Sequence, residues 1–210
     1  LQDFALALGH PVKGSVRISG TAEGPLERLR FKATGRGKDL VIRGLSMETA
    51  ELNLLAQGTP EQSQGNVSLS VAQRGEILKS RADFFLDHEK IFFPRFTLEG
   101  PETSLGGRLE VTMETGRLSG RMSGECRDLS ALAPWLGKKV EGAVLLDTDF
   151  VLGGTGAEFS LALEATDLSA SYGKAERVRI RARVTEPITA PKGRLNLDLT
   201  EGRFGEWSLH

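Results

Sequence analysis

The sequence predicts an all-β fold in which a long antiparallel meander sheet curls lengthwise into an apolar groove, with one short helix. Three observations predict it. Apolar and polar residues alternate in one segment after another, which is the pattern of a half-buried strand. Glycine accounts for 25 of the 210 residues and falls mainly between these segments, where turns are expected. Only one segment has helical spacing, so a βαβ arrangement is excluded.

The alternation is most regular between Gly142 and Val184. A strand with apolar residues at even positions is followed by the turn 153–156, and a second strand has them at odd positions. The dipeptide Asp167-Leu168 then precedes a third strand with apolar residues at even positions. Each of these strands therefore has one apolar and one polar face.

The same pattern occurs near the start of the chain at a constant offset of 128 residues. Gly14 corresponds to Gly142, and the dipeptide Asp39-Leu40 corresponds to Asp167-Leu168. We therefore predict two copies of one repeat, at about 14–71 and 142–199, within one continuous module over 1–210. A looser third unit is predicted from Gly107 to Leu129. Because the sequence starts without Met and stops within the pattern, we expect it to be a fragment of a longer chain.

Short turns divide the chain into roughly fifteen predicted strands. The first covers Asp3 to Leu8. A later one, from Leu29, is expected to end at Gly35–Gly37, so that Leu40–Ile42 forms a separate short strand. Pro94 interrupts an apolar segment and cannot donate a ladder hydrogen bond, which predicts an edge strand or a bulge there.

The one predicted helix runs from Asp128 to Gly137. Asp128 or Ser130 can cap its first turn, and Gly137 is suited to its end. Pro134 limits the helix to one or two turns.

Composition excludes several function classes. The chain has 27 basic and 28 acidic residues, so nothing indicates a nucleic-acid partner. Its single cysteine, Cys126, excludes an intrachain disulfide and a cysteine-based zinc site. No segment is long and apolar enough for a transmembrane helix, and no signal peptide is evident.

No catalytic or metal site is predicted, and no cofactor. The three histidines are scattered over turns and termini. Asp87, His88 and Glu89 are consecutive on a turn and cannot converge on one metal ion without further ligands. Nucleophile, P-loop and zinc-protease motifs are absent from the sequence. The expected protein is therefore not an enzyme.

The apolar strand faces are the candidate binding surface. They are aliphatic and evenly filled, which favours an open groove for acyl chains over a plugged barrel. The alternative is a structural or adhesive sandwich or solenoid, in which the same side chains are core. The residues predicted to line the groove are Val16, Ile18, Leu29, Phe31, Leu52, Leu54, Val67, Leu69, Val71, Phe84, Leu86, Leu98, Leu109, Val111, Val144, Leu146, Phe159, Leu161, Leu163, Val178, Ile180, Leu195, Leu197 and Leu199.

A stripe of four arginines alternates with the apolar residues of one strand, at Arg177, Arg179, Arg181 and Arg183. The stripe and the predicted groove lining lie on opposite faces. We interpret the stripe as a solvated outer face that prevents stacking of sheets. Contact with anionic lipid headgroups is the alternative.

Strand pairs that begin with glycine and end in Asp-Leu, followed by the segment Asp128–Gly137 and a new strand at Gly142, resemble the AsmA-like envelope proteins, the family that includes TamB of the translocation and assembly module. The resemblance covers nearly the whole chain. It implies a lengthwise-folded sheet called a β-taco, in a periplasmic protein anchored in the inner membrane. It also implies a role in outer-membrane biogenesis. The implied partners are phospholipid acyl chains or nascent outer-membrane β-strands, and a TamA-type outer-membrane protein bound through parts outside this sequence.

Overall fold

The computed structural model describes residues 12–42, 45–59, 61–153, 158–171, 173–185, 192–204 and 207–209. Their strands are β1 Val12–Glu23, β2 Leu29–Ile42, β3 Leu45–Gly58, β4 Ser63–Gln73, β5 Glu76–Leu86, β6 Lys90–Gly100, β7 Thr103–Thr112, β8 Arg117–Cys126, β9 Val140–Leu152, β10 Glu158–Ala170, β11 Gly173–Thr185, β12 Lys192–Phe204 and β13 Trp207–Leu209. The predicted strand Asp3–Leu8 lies outside the described residues.

All 13 strands belong to one sheet, and their order in the sheet is their order in the sequence. Every neighbouring pair is antiparallel. The sheet is not closed, because β1 pairs only with β2 among the described strands. The predicted fold class, an open antiparallel meander with one short helix, is therefore confirmed.

The hydrogen-bonded registers repeat at the 128-residue offset seen in the sequence. Ile18 is paired with Gly35 across β1 and β2, and Leu146 is paired with Leu163 across β9 and β10. The β2–β3 and β3–β4 registers recur in the same way in β10–β11 and β11–β12. Strands β1–β4 and β9–β12 therefore share one pairing register.

Two details of the predicted strands are wrong. Leu40–Ile42 is not a separate strand but the end of β2, which continues from Leu29 past Gly37. The ladder continues because Asp39 takes a positive φ of 51° in an irregularity of the β1–β2 register. The segment Gly107–Leu129 is not a third copy, since Asp128 caps a helix where Asp39 and Asp167 lie within strands.

Pro94 lies within β6, an interior strand, at a bulge. The register shifts between Phe93 and Phe96 against β7, and between Asp83 and Phe85 on β5. Of the two predicted alternatives, the bulge is therefore correct and the edge strand is wrong. A bulge leaves one residue outside the ladder, which accommodates a residue that cannot donate a hydrogen bond.

The helical segment between β8 and β9 is also confirmed. A 3₁₀ turn, Leu129–Leu132, continues into one α-helical turn, α1, at Ala133–Leu136. The backbone amide of Ser130 donates to the Asp128 carboxylate at 2.8 Å. Gly137 ends the helix with a φ of 66°.

Candidate functional site: a continuous apolar face

One cross-strand row of residues runs through twelve strands of the sheet. Directly opposed residues of antiparallel strands lie on the same face, so the register defines the row. At about 4.8 Å per strand the row extends for about 50 Å. From β1 to β12 it consists of Ile18, Gly35, Leu52, Leu69, Ser80, Leu98, Leu105, Gly124, Leu146, Leu163, Ile180 and Leu197.

Four further rows lie parallel to this row on the same face, starting at Val16, Gly20, Ala22 and Leu29. The rows from Val16 and Ala22 are interrupted between β5 and β6 and resume at Gly100 and Phe93. None of the residues in the five rows is charged. We call these rows the apolar face. All 24 residues predicted to line a groove lie in them, so the register brings the predicted set together on one side of the sheet.

Two threonine hydroxyls on the apolar face are bonded back to the backbone. Thr148 is 4% exposed, and its hydroxyl donates to the carbonyl oxygen of Ser160 at 2.9 Å. The hydroxyl of Thr103 donates to the carbonyl oxygen of Pro101 at 3.0 Å. These threonines therefore present mainly their methyl groups to the face.

Phenylalanine rings cover glycines on this face. A β-carbon added to Gly65 would lie 2.9 Å from the ring of Phe84, its partner across the strand pair. Gly107 and Phe96 are related in the same way. A third such pair joins Gly120 to Phe150. The aromatic rings thus fill the space left by the glycines, and the face stays level instead of being obstructed. Composition predicted few bulky residues but not this pairing, which depends on register.

The apolar face is the more enclosed side of the sheet but is not covered. On β10, Ala165 on the apolar face is 1% exposed, whereas Ala162 on the opposite face is exposed. No large side chain among the described residues is fully buried. All described strands form one sheet, so no second described sheet covers the face as a sandwich would require.

The opposite face, which we call the polar face, carries the arginine stripe and many exposed ion pairs. A hydrogen bond with Asp147, together with that carboxylate's charge, raises the pKa of Arg121. A hydrogen bond with Glu110 raises the pKa of Lys90 in the same way. Exposed pairs of this kind contribute little to stability.

The polar face also holds shallow depressions. One of about 770 Å³ is bordered by Arg108, Arg121 and Arg183. Another of about 550 Å³ is bordered by Arg179 and Arg181. A third, of about 740 Å³, lies over β1–β6. The twist of a sheet makes each face concave along one diagonal, which accounts for hollows on the face opposite the apolar rows.

The turn Asp87–Glu89 is occupied by ordinary surface contacts. His88 Nδ1 lies 3.7 Å from the carboxylate of Glu61. Within the described ranges no three His, Cys, Asp or Glu side chains are grouped to hold a metal ion. Among the same residues, no helix is long and apolar enough to cross a membrane.

Comparisons of the chain with models of protein families, with characterised proteins and with solved structures give no match.

Proposed function

We propose that this chain is a non-enzymatic module that carries apolar cargo along its apolar face. The cargo would be phospholipid acyl chains, outer-membrane β-strands or both, moving between the inner and outer membranes of a two-membrane envelope. The module would act in the periplasm as part of an inner-membrane-anchored protein. The observation that carries the proposal is the uncharged row from Ile18 to Leu197 through twelve strands.

The size and openness of the face support a role in binding. Soluble monomers rarely expose an apolar patch of more than a few hundred Å². Along each strand, neighbouring rows are two residues, about 6.7 Å, apart. The five rows together are therefore about 27 Å wide, and they are up to about 50 Å long. A surface of this size in water requires an occupant.

Of the two cargoes, acyl chains suit the face better. A polypeptide strand lying on it would bring backbone N–H and C=O groups that need partners, and leaving such a group without one costs roughly 1–3 kcal/mol. The threonines of the face use their hydroxyls internally, as Thr148 does with Ser160. Acyl chains require contact with apolar groups and no hydrogen bonds.

Site-specific photo-crosslinking tests the proposal. A photoreactive residue at Leu163 or Phe31 would face the apolar rows, while one at Ala162 or Lys32 would face the other way on the same strands. With the protein produced in cells that have two membranes, we expect lipid adducts by mass spectrometry at the first pair and none at the second. Equal labelling of both pairs, or no lipid at Leu163 and Phe31, contradicts the proposal.

A further inference from the structure

The arginine stripe belongs to a concentrated basic patch on β11 and β12. From Arg177 to Thr185 on β11 and from Lys192 to Thr200 on β12, the polar-face positions carry six basic residues and one carboxylate, that of Asp198. The whole chain, in contrast, has a net charge of −1. The six are Arg177, Arg179, Arg181, Arg183, Lys192 and Arg194.

The repeat provides an internal comparison for this patch. The polar-face positions of β3 and β4 have the same register, 128 residues earlier, with Thr49 paired to Ala72 as Arg177 is to Thr200. From Thr49 to Gln57 on β3 and from Gln64 to Ala72 on β4 they carry one charged residue, Glu51, and no basic one. The same pairing register therefore forms without arginines, so folding and register do not require the patch.

Neighbouring carboxylates neutralise only part of the patch. Glu164 on β10 lies 3.5 Å from Arg177 and 3.1 Å from Arg179. Glu158 lies 3.7 Å from Arg183. Arg181 is placed between Ala162 and Asn196, and the residue opposite Arg183 on β12 is Arg194. Like charges directly opposite each other on neighbouring strands destabilise a sheet. The pair Arg183 and Arg194 therefore indicates that the patch serves a purpose other than fold stability.

We infer that the polar face of β11–β12 docks onto an anionic phospholipid surface. Its arginines recur every second residue, about 6.7 Å apart, and so present a straight row of cations to phosphate groups. Two depressions open beside the row, one bordered by Arg183 and the other by Arg179 and Arg181. The inference does not depend on the proposed cargo, because it concerns the other face.

The chemistry of the patch favours a membrane over other polyanions. Protein interfaces usually have an apolar core, and the polar-face positions of β10–β12 have no large apolar side chain. These positions also lack the aromatic side chains on which unpaired bases stack. The patch therefore presents positive charge without apolar or aromatic contacts, which suits the headgroups of an anionic membrane.

Vesicle co-sedimentation tests the inference with a double variant that the repeat itself supplies. Arg181→Asn and Arg194→Asn install the residues found at the equivalent positions, Asn53 and Asn66. We expect the wild-type chain to bind phosphatidylcholine vesicles only when they contain phosphatidylglycerol. The double variant should bind them roughly thirtyfold more weakly, since each arginine near such a surface is worth about a factor of five.

The control is Arg81→Asn with Arg95→Asn, which removes the same charge from the polar face of β5 and β6 and should leave vesicle binding unchanged. The basic residues there are balanced, because Asp83 lies 3.5 Å from Arg95 and Glu99 is paired with Lys79. Binding should also weaken as added salt shortens the screening length from about 30 Å to about 8 Å. Circular dichroism checks that both variants fold. Binding that ignores phosphatidylglycerol or salt, equal losses in the two double variants, or tighter binding to duplex DNA or polyglutamate than to anionic vesicles would each overturn the inference.

Discussion

Gly142 and Asp167 lie opposite each other in the β9–β10 bulge, and both have positive φ angles, 119° and 52°. Gly14 and Asp39 repeat the relationship in β1–β2 with φ angles of 106° and 51°. The bulge lets the ladder continue beyond Asp167 to Ala170. The repeat in the sequence therefore encodes a backbone device as well as an apolar pattern.

Replacing Gly142 by alanine should destabilise the fold by about 2 kcal/mol, measured by urea unfolding. The added β-carbon would lie 2.6 Å from the Thr166 carbonyl oxygen, on a backbone that L-residues rarely adopt. Gly75→Ala is the control, because Gly75 has a φ of 83° but nothing within 4 Å of the added carbon. It should cost about 1 kcal/mol. Equal losses would show that the close approach does not matter.

Leu161→Asp should abolish transport of apolar cargo by the full-length protein while the module still folds. Leu161 is half-buried on the apolar face, so its loss should cost about 1 kcal/mol, whereas a carboxylate among acyl chains is far more costly. Ala162→Asp places the same charge on the polar face and should transport normally. Lipid transport at the wild-type rate in Leu161→Asp would refute the proposed function.

Asp128 should make the helical segment sensitive to acid. Hydrogen bonds from Ser130 lower the pKa of the Asp128 carboxyl below its ordinary 3.8. A depressed folded-state pKa contributes stability above the ordinary pKa, and this contribution is lost as the pH falls through the folded value.

The measurement is hydrogen exchange of the segment 129–137 at pH 6 and near pH 3. Protection should fall on acidification in the wild type, and less in Asp128→Asn, which keeps a capping oxygen but does not titrate. Asp128→Ala should exchange faster at both pH values. An identical pH response in the wild type and Asp128→Asn would rule out this role for the carboxylate.

Much of the fold follows from local pattern. Alternation alone assigned all 24 predicted lining residues to the face where the register places them, because side-chain direction in a strand has a period of two. The caps at Asp128 and Gly137 were also readable, since each depends on one residue and its immediate neighbours. The bulge at Pro94 followed, as one of two alternatives, from a missing backbone donor.

The tertiary structure decided what depends on pairing between strands. Alternation does not say whether an apolar face packs against a second sheet or stays open. Only the strand order, with all thirteen described strands in one sheet, shows that no second described sheet covers the face. The glycines near Gly37 predicted the end of a strand, but β2 continues to Ile42. The positive φ of Asp39 accommodates the register irregularity there. The rings over glycines, such as Phe96 over Gly107, exist only in one register. The sequence by itself determined which residues share a face; the register, set by pairing over the whole sheet, determined that those faces join into one continuous surface.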